Sequence, residues 1–324
     1  MLSVAVLKDE FEQYLHQKIV VKEPVQLYEP LHYILRLGGK RLRPVLTLMS
    51  CEAFGKSYKS AMDAALAVEM FHNFSLIHDD IMDAAPLRRG HMTVHEKWDT
   101  NVGILSGDLM LISAYQHFEN YEPQIFQKLA KLFSQTAVKV CEGQQFDVDY
   151  EVSEDVTIAQ YLKMIEYKTA VLLGAALEMG AIIANAPAAC SKNLYAFGKY
   201  LGIAFQLQDD FLDAFGDPQT FGKQVGGDII ANKKTFLYLY AIDKLPEIHA
   251  KELQHLFSIY PEKPESKIEV VKQMYEQSGA VEAIQEEIDR FTHKAFEHLE
   301  AVKISAENKL VFKTLGEQLM VRSV

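Results

Sequence analysis

The chain has little cysteine: three residues in 324, Cys51, Cys141 and Cys190, far apart and with no CxxC pair. That spacing excludes a disulfide framework and a thiolate zinc site, and leaves buried, reduced thiols of a cytosolic protein as the expectation. Glycine (17) and proline (10) are also sparse, together about 8% of residues where roughly 12% is usual, so long uninterrupted helices are expected. Positive charge is in deficit, with 33 Lys and Arg against 44 Asp and Glu, a net charge of −11. General binding to nucleic acid or anionic membrane needs basic surface and is not expected; a local basic cluster therefore stands out as a site. No apolar run reaches the roughly 18 residues that suggest a membrane span, the longest, Ala170 to Ala184, being broken by Glu178. The opening MLSVAVL lacks a basic segment and runs into KDEFEQ, so it does not read as a signal peptide. Alternating strands, low-complexity tracts and short repeats are missing too. A soluble, cytoplasmic protein is expected.

What is present is helical pattern, with hydrophobic residues at 49%, ample for a large core. Helices are expected over Val4–Val21, up to Leu37, and over Ser60–Asp83, Asn101–Asn120, Pro123–Tyr150, Glu154–Asn185 and Ser191–Phe215, on apolar spacing and terminal signals. Gly38 and Gly39 stop the second helix, and Lys40, Arg41 and Arg43 form a basic turn before Pro44, which suits the first position of the next helix. Gly216 to Gly227 is the long breaker-rich interior segment, a loop holding Lys223, with Asp228, Lys233 and Lys234 just beyond. Toward the C-terminus Val281, Ile284, Ile288, Phe291, Ala295 and Leu299 recur at three- and four-residue spacing. Nothing marks a seam, and a single all-α domain over residues 1–324, one large helical bundle, is the consequence.

Asp79, Asp80 and Asp83 end the long apolar helix, just ahead of Arg88 and Arg89. Asp79 and Asp83 share a helix face, where like charges repel by roughly 0.2 to 0.5 kcal/mol. A hard cation offsets that, since Mg²⁺ takes one or two carboxylates and completes its shell with water and substrate phosphate; arginines can hold the same phosphate by bidentate hydrogen bonds. Alone, the stretch reads equally well as a solvated acidic face before a basic turn. The same DDxxD returns at Asp209, Asp210 and Asp213, again ending an apolar helix ahead of a cation-bearing loop, and the repetition favours metal-bridged diphosphate binding. Lys40 to Arg43 read singly as a basic surface turn and His72 as a satisfied helix histidine. His72, however, stands two turns before Asp79 on nearly the same face. Lys168 and Thr169 interrupt an apolar helix, where a lysine must snorkel or bind something.

GGKRLRP, DDIMD with the following RRG, SGDLML, EYKT, FQLQDDFLD and GKQVGGD, in this order from about Gly38 to Lys234, resemble the trans-prenyl diphosphate synthases. That resemblance implies an all-α bundle around a central active-site cavity and extension of allylic diphosphates with isopentenyl diphosphate. It implies that Asp79 and Asp83 bind two Mg²⁺ ions and Asp209 a third, with Asp80 and Asp210 completing the catalytic clusters. Arg88, Lys168, Thr169, Gln206 and Lys223 would contact the allylic diphosphate, and Lys40, Arg43, His72 and Arg89 that of isopentenyl diphosphate, with Lys233 also near substrate. A homodimer is implied as well.

Product length in the family depends on bulk beneath the first cluster. Phe74 and Ser75, five and four residues before Asp79, resemble geranylgeranyl-type (20-carbon) synthases, with Phe71 one turn further back; farnesyl diphosphate is the alternative product. Ser75 falls about 40° around the helix from Asp79 and Phe74 about 140°, so Phe74's part rests on the resemblance. A di-iron carboxylate bundle, which needs Glu-x-x-His on two helices, competes through Glu69/His72 and Glu252/His255, but leaves both DDxxD clusters unexplained. A terpene cyclase normally carries an Asn/Ser/Glu second motif, and a non-catalytic subunit would be expected to lack one cluster.

Overall fold

The structure, a computed structural model, describes residues 1–217 and 225–320. Helices dominate, as expected: α1 (Val4–Lys18), α2 (Val25–Arg36), α3 (Leu42–Ala53), α4 (Met62–Met82), α5 (Val94–Lys97), α6 (Thr100–Phe118), α7 (Pro123–Val152) and α8 (Ile158–Ile165). After a π-turn at Glu166–Ala170 come α9 (Val171–Ile183), α10 (Ala188–Phe215) and α11 (Gly227–Ile230). The chain then forms α12 (Phe236–Lys244), α13 (Glu247–Leu256), α14 (Glu265–Ser278), α15 (Ala280–Glu300) and α16 (Ala306–Met320). Side chains set several starts by satisfying otherwise orphaned N–H groups. Ser3 caps α1, Asp99 accepts from the Val102 N–H (2.8 Å) at α6, and Thr157 with Gln160 forms a capping box at α8.

Two local features depart from the expectation. The helix expected over Glu154–Asn185 begins at Ile158 and changes to π geometry at Glu166–Ala170. Where no strand was expected, β1 (Leu87–Arg88) and β2 (His91–Met92) pair antiparallel, the only sheet among the described residues.

The helices pack as two compact units. Unit 1 comprises Met1–Thr136, Leu172–Tyr195 and Val302–Asn308. Its core includes the middle of α4, from Ala64 to Phe71, and the aromatic rings of Phe71, Phe118 and Phe133. The Ser50 hydroxyl on α3 donates to the Leu177 carbonyl on α9 (2.6 Å). Unit 2 comprises Ala137–Val171, Ala196–Ala301 and Lys309–Val324, with a core of α8, α10, α12, α14 and α15 side chains, among them Tyr161, Leu207, Phe236, Tyr275 and Ile284. No composition shift marks these units because several boundaries fall inside α7, α10 and α16, where the helical pattern continues unbroken.

Candidate functional site

In unit 1 the end of α4 and the β1–β2 hairpin are tied together. Asp83 is the C-cap of α4, and left-handed backbone at Ala84 (φ 48°), Arg89 (φ 55°) and Gly90 (φ 77°) reverses the chain twice. Thr93 ties the hairpin base, its hydroxyl donating to the Ala85 carbonyl (2.8 Å). Arg88 thereby returns to α4 and donates from Nε (2.9 Å) and Nη2 (2.5 Å) to Asp80 Oδ1, with Nη2 3.6 Å from Asp79 Oδ2. Asp80 is 1% exposed. Burial pushes its carboxyl above the ordinary 3.8 even though Arg88 opposes the change. Burial alone would lower Arg88, but Asp80, Asp79 and Asp83 outweigh it and raise the guanidinium. The middle aspartate thus anchors an arginine. Asp79 is partly exposed and Asp83 exposed.

The basic turn is held from below by Arg41, which is buried with φ 51°. Its Nη1 lies 2.5 Å from Glu69 Oε1, and Nη2 donates to the Leu35 carbonyl. Asn73 Nδ2 donates to the same Glu69 oxygen at 3.2 Å. Arg89 Nη1 donates to the Gly38 carbonyl, and its guanidinium carbon lies 3.2 Å from where a Cβ on Gly39 would stand. Glycine is favoured there by φ +137°, which L side chains rarely adopt, and a Cβ would also press the Arg89 guanidinium aside by a few tenths of an ångström. Lys40 is exposed on this turn. Burial, together with the Arg89 charge, draws Arg43 down to about 10, despite Glu69, so it remains cationic at neutral pH. His72 is driven well below 6.5 by burial, then by Arg43, Arg89, Arg88 and Arg41. Four guanidiniums thus act on this imidazole, two of them already paired, Arg41 with Glu69 and Arg88 with Asp80.

Unit 2 repeats the arrangement with other partners. Asp210 is buried, accepting from the Tyr161 hydroxyl at Oδ2 and from Gln206 Nε2 at Oδ1 (3.1 Å). Burial and the Asp228 charge raise it well above 3.8 against those two bonds, and burial and Asp210 raise Tyr161 well above 10. Asp213 Oδ2 accepts from the Asp228 N–H (2.9 Å), while Asp209 is partly exposed. The π-turn presents Lys168 and Thr169: Lys168 Nζ lies 2.6 Å from Asp147 Oδ2, and Thr169 Oγ1 donates to Gln206 Oε1 at 3.5 Å. A cleft of about 130 Å³ is lined by Lys168, Thr169, Gln206, Asp210, Asp228 and Lys233, among others. Lys234 instead caps the end of α7, donating to the carbonyls of Tyr150, Glu151 and Ser153. Lys223 lies outside the described residues.

The expected length residues form a layer before the first cluster. The Phe74 ring lies 5.5 Å from Phe71 and 4.8 Å from His78, and Phe71 lies 5.1 Å from Phe133. Ser75 donates to the His72 carbonyl at 2.8 Å. The di-iron alternative fails: Glu69 is bound by Arg41 and Asn73, and Glu252 and His255 are exposed. The expectation of buried thiols holds for Cys51 and Cys190, but Cys141 is exposed. Sequence reading gave no role to Arg41, Asp147 or Tyr161. Each acts through a tertiary contact that residue spacing does not encode.

Among the described residues no three His, Cys, Asp or Glu side chains form a metal cage alone. Asp79 with Asp83, and Asp209, are hard oxygen donors of the sort that suit Mg²⁺, whose remaining positions are filled by water and substrate phosphate. An all-α chain with two aspartate clusters at helix ends, each with cations beside it, defines a prenyltransferase of the isoprenoid type. Residues 24–278 match the polyprenyl synthetase family. A geranylgeranyl diphosphate synthase of Methanosarcina mazei is 39% identical over 226 residues, covering 69% of this chain and 70% of that protein. The crystal structure of a geranylgeranyl pyrophosphate synthase is similar along the whole of both chains, with 52% identity and a TM-score of 0.96. Another, from Corynebacterium glutamicum, complexed with isoprenyl diphosphate and magnesium, is 28% identical with a TM-score of 0.85, covering 99% of this chain and 98% of that one. The chain belongs to the polyprenyl synthetase family.

Proposed function

We propose that the protein condenses allylic diphosphates with isopentenyl diphosphate and releases geranylgeranyl diphosphate. The observation that carries this is the duplicated DDxxD, in which each middle aspartate is buried and hydrogen-bonded while its outer partners are at least partly exposed. Asp79 and Asp83 would hold two Mg²⁺ ions and Asp209 a third in this reading. Mg²⁺ supplies Lewis-acid stabilisation of the departing pyrophosphate. Arg88, steadied by Asp80, and Lys168, Thr169 and Gln206 hold the allylic diphosphate, with Lys233 and the expected contact Lys223 from the following segment. Lys40, Arg43, His72 and Arg89 take the diphosphate of isopentenyl diphosphate, to which a neutral imidazole can hydrogen-bond without adding a further positive charge among the guanidiniums.

The chemistry needs no side-chain nucleophile. The allylic C–O bond breaks with its electron pair leaving on pyrophosphate, and the alkene of isopentenyl diphosphate attacks the allylic cation. Loss of a proton to the released pyrophosphate restores an allylic diphosphate one isoprene unit longer. Fixed charges aimed at the leaving group are what such a step requires.

The protein is proposed to be a cytoplasmic homodimer. Leu105 (58% exposed) and Ile112 (56%) lie seven residues apart on one face of α6, exposed apolar side chains that dimerisation would cover. The deciding experiment supplies Mg²⁺, isopentenyl diphosphate and each allylic starter separately, and measures product length. A 20-carbon product is expected; a product ending at farnesyl diphosphate would favour the shorter alternative, and no product from folded protein would refute the assignment.

A further inference from the structure

We propose that unit 1 carries a second, metal-independent site for an isoprenoid diphosphate, in a cavity formed by the end of α1, the segment after it, α2, α4 and α6. The cavity holds about 280 Å³, just below the roughly 300 to 1,000 Å³ usual for ligand pockets. Its residues are separate from both aspartate clusters and from the basic turn. Three basic groups line it, Lys18, Lys22 and His117, and no carboxylate is among the lining residues. In a chain of net charge −11 such a concentration marks an anion site.

His117 is fixed from behind. Its Nδ1 lies 3.1 Å from Asp63 Oδ1, which also accepts from the Tyr14 hydroxyl at 2.8 Å, so Nε2 is the ring nitrogen left to meet a ligand. Burial would raise Asp63, but the bonds from His117 and Tyr14 prevail and hold it below 3.8, ionised, as a carboxylate that orients an imidazole must be. Lys18 Nζ stands 5.3 Å from the Tyr14 ring centroid, on the same network. Gln116 and Asn120 add amide donors at the rim.

The rest of the lining decides the ligand class. Leu31 and Met70, each 4% exposed, form an apolar floor with Ile19. A free phosphate has no use for that floor, and a hydrocarbon has none for the cations. An anionic head on an isoprenoid tail uses both, and choosing this tail rests on the proposed function. Because the head is met by the Lys18 and Lys22 ammonium groups and an imidazole nitrogen, and no carboxylate is among the lining residues, no metal is needed.

Isothermal titration with geranylgeranyl diphosphate in EDTA tests this on the full chain, beside inorganic pyrophosphate. Lys18→Gln/Lys22→Gln changes two exposed side chains and is expected to weaken the metal-free binding at least tenfold, with elongation kcat/KM within twofold. Gln116→Trp, which fills the cavity, is expected to remove it. Pyrophosphate alone is expected to bind at least tenfold more weakly than geranylgeranyl diphosphate. Equal metal-free affinity in wild type and both variants overturns the site, and pyrophosphate binding as tightly as the isoprenoid overturns its occupant. Failure here with full elongation activity leaves the catalytic reading intact, whereas an inactive wild type bears on that reading alone.

Discussion

Gly143→Ala places a methyl group where α7 meets the π-turn. The added Cβ would stand 2.2 Å from the Lys168 nitrogen and 2.7 Å from Lys168 Cα and the Tyr167 carbonyl carbon. All three are backbone atoms, so no rotamer change relieves the clash. Ordinary contact begins at 3.4 Å, which requires the two segments to part by about 1.2 Å. Overpacking of this kind costs about 1 to 3 kcal/mol, and alanine's better helix propensity returns about 1 kcal/mol. The expected loss of stability is therefore modest, about 0 to 2 kcal/mol. Activity should suffer more, because Lys168 and its partner Asp147 sit on the two segments being separated, 2.6 Å apart, and a misplacement of about 1 Å costs up to 10²-fold in rate. Urea unfolding and steady-state elongation kinetics read the two effects separately. Wild-type stability together with wild-type kcat would refute the claim that this close approach positions Lys168.

Phe74→Ala removes a ring that packs on Phe71 and His78, and chromatography should show longer products; an unchanged distribution would take Phe74 out of the length argument. Asp63 has a folded-state pKa below 3.8, so its contribution to stability is present above that pH and is lost as pH falls through the lower folded value. Asp63→Asn should accordingly lower Tm at pH 6 to 7 and flatten the acid limb below about pH 4, and parallel Tm–pH curves for the two proteins would contradict the assignment. Leu105→Glu/Ile112→Glu puts charge on the exposed face of α6 and should shift sedimentation toward monomer. Unchanged sedimentation would place any dimer contact elsewhere.

Much of the site was legible before the fold was known, since its signals are local. DDxxD puts Asp79 and Asp83 one turn apart whatever the helix packs against, and Gly38–Gly39 announces a chain reversal ahead of Lys40 and Arg43. The π-turn was not legible, because EYKT has ordinary helical composition; its geometry accompanies α7 packing onto Lys168 where Gly143 has no side chain. Likewise Leu87 to Met92 is too short to show strand alternation, and what forms the hairpin is positive φ at Arg89 and Gly90 with the Arg88–Asp80 pairing. Arg41 reads like its neighbours Lys40 and Arg43. Only burial against Glu69 separates an anchor from candidate binders.

By itself the sequence determined an all-α chain, two carboxylate clusters and the cations beside them, because helix periodicity and motif spacing are properties of a few consecutive residues. Tertiary structure alone decided which member of each aspartate cluster turns inward. Asp80 and Asp210 do so because Arg88 in one unit, and Tyr161 with Gln206 in the other, offer hydrogen bonds that a buried carboxyl must have. Those partners come from other parts of the fold or, for Gln206, from the turn before. The identical letters DDxxD carry no record of them.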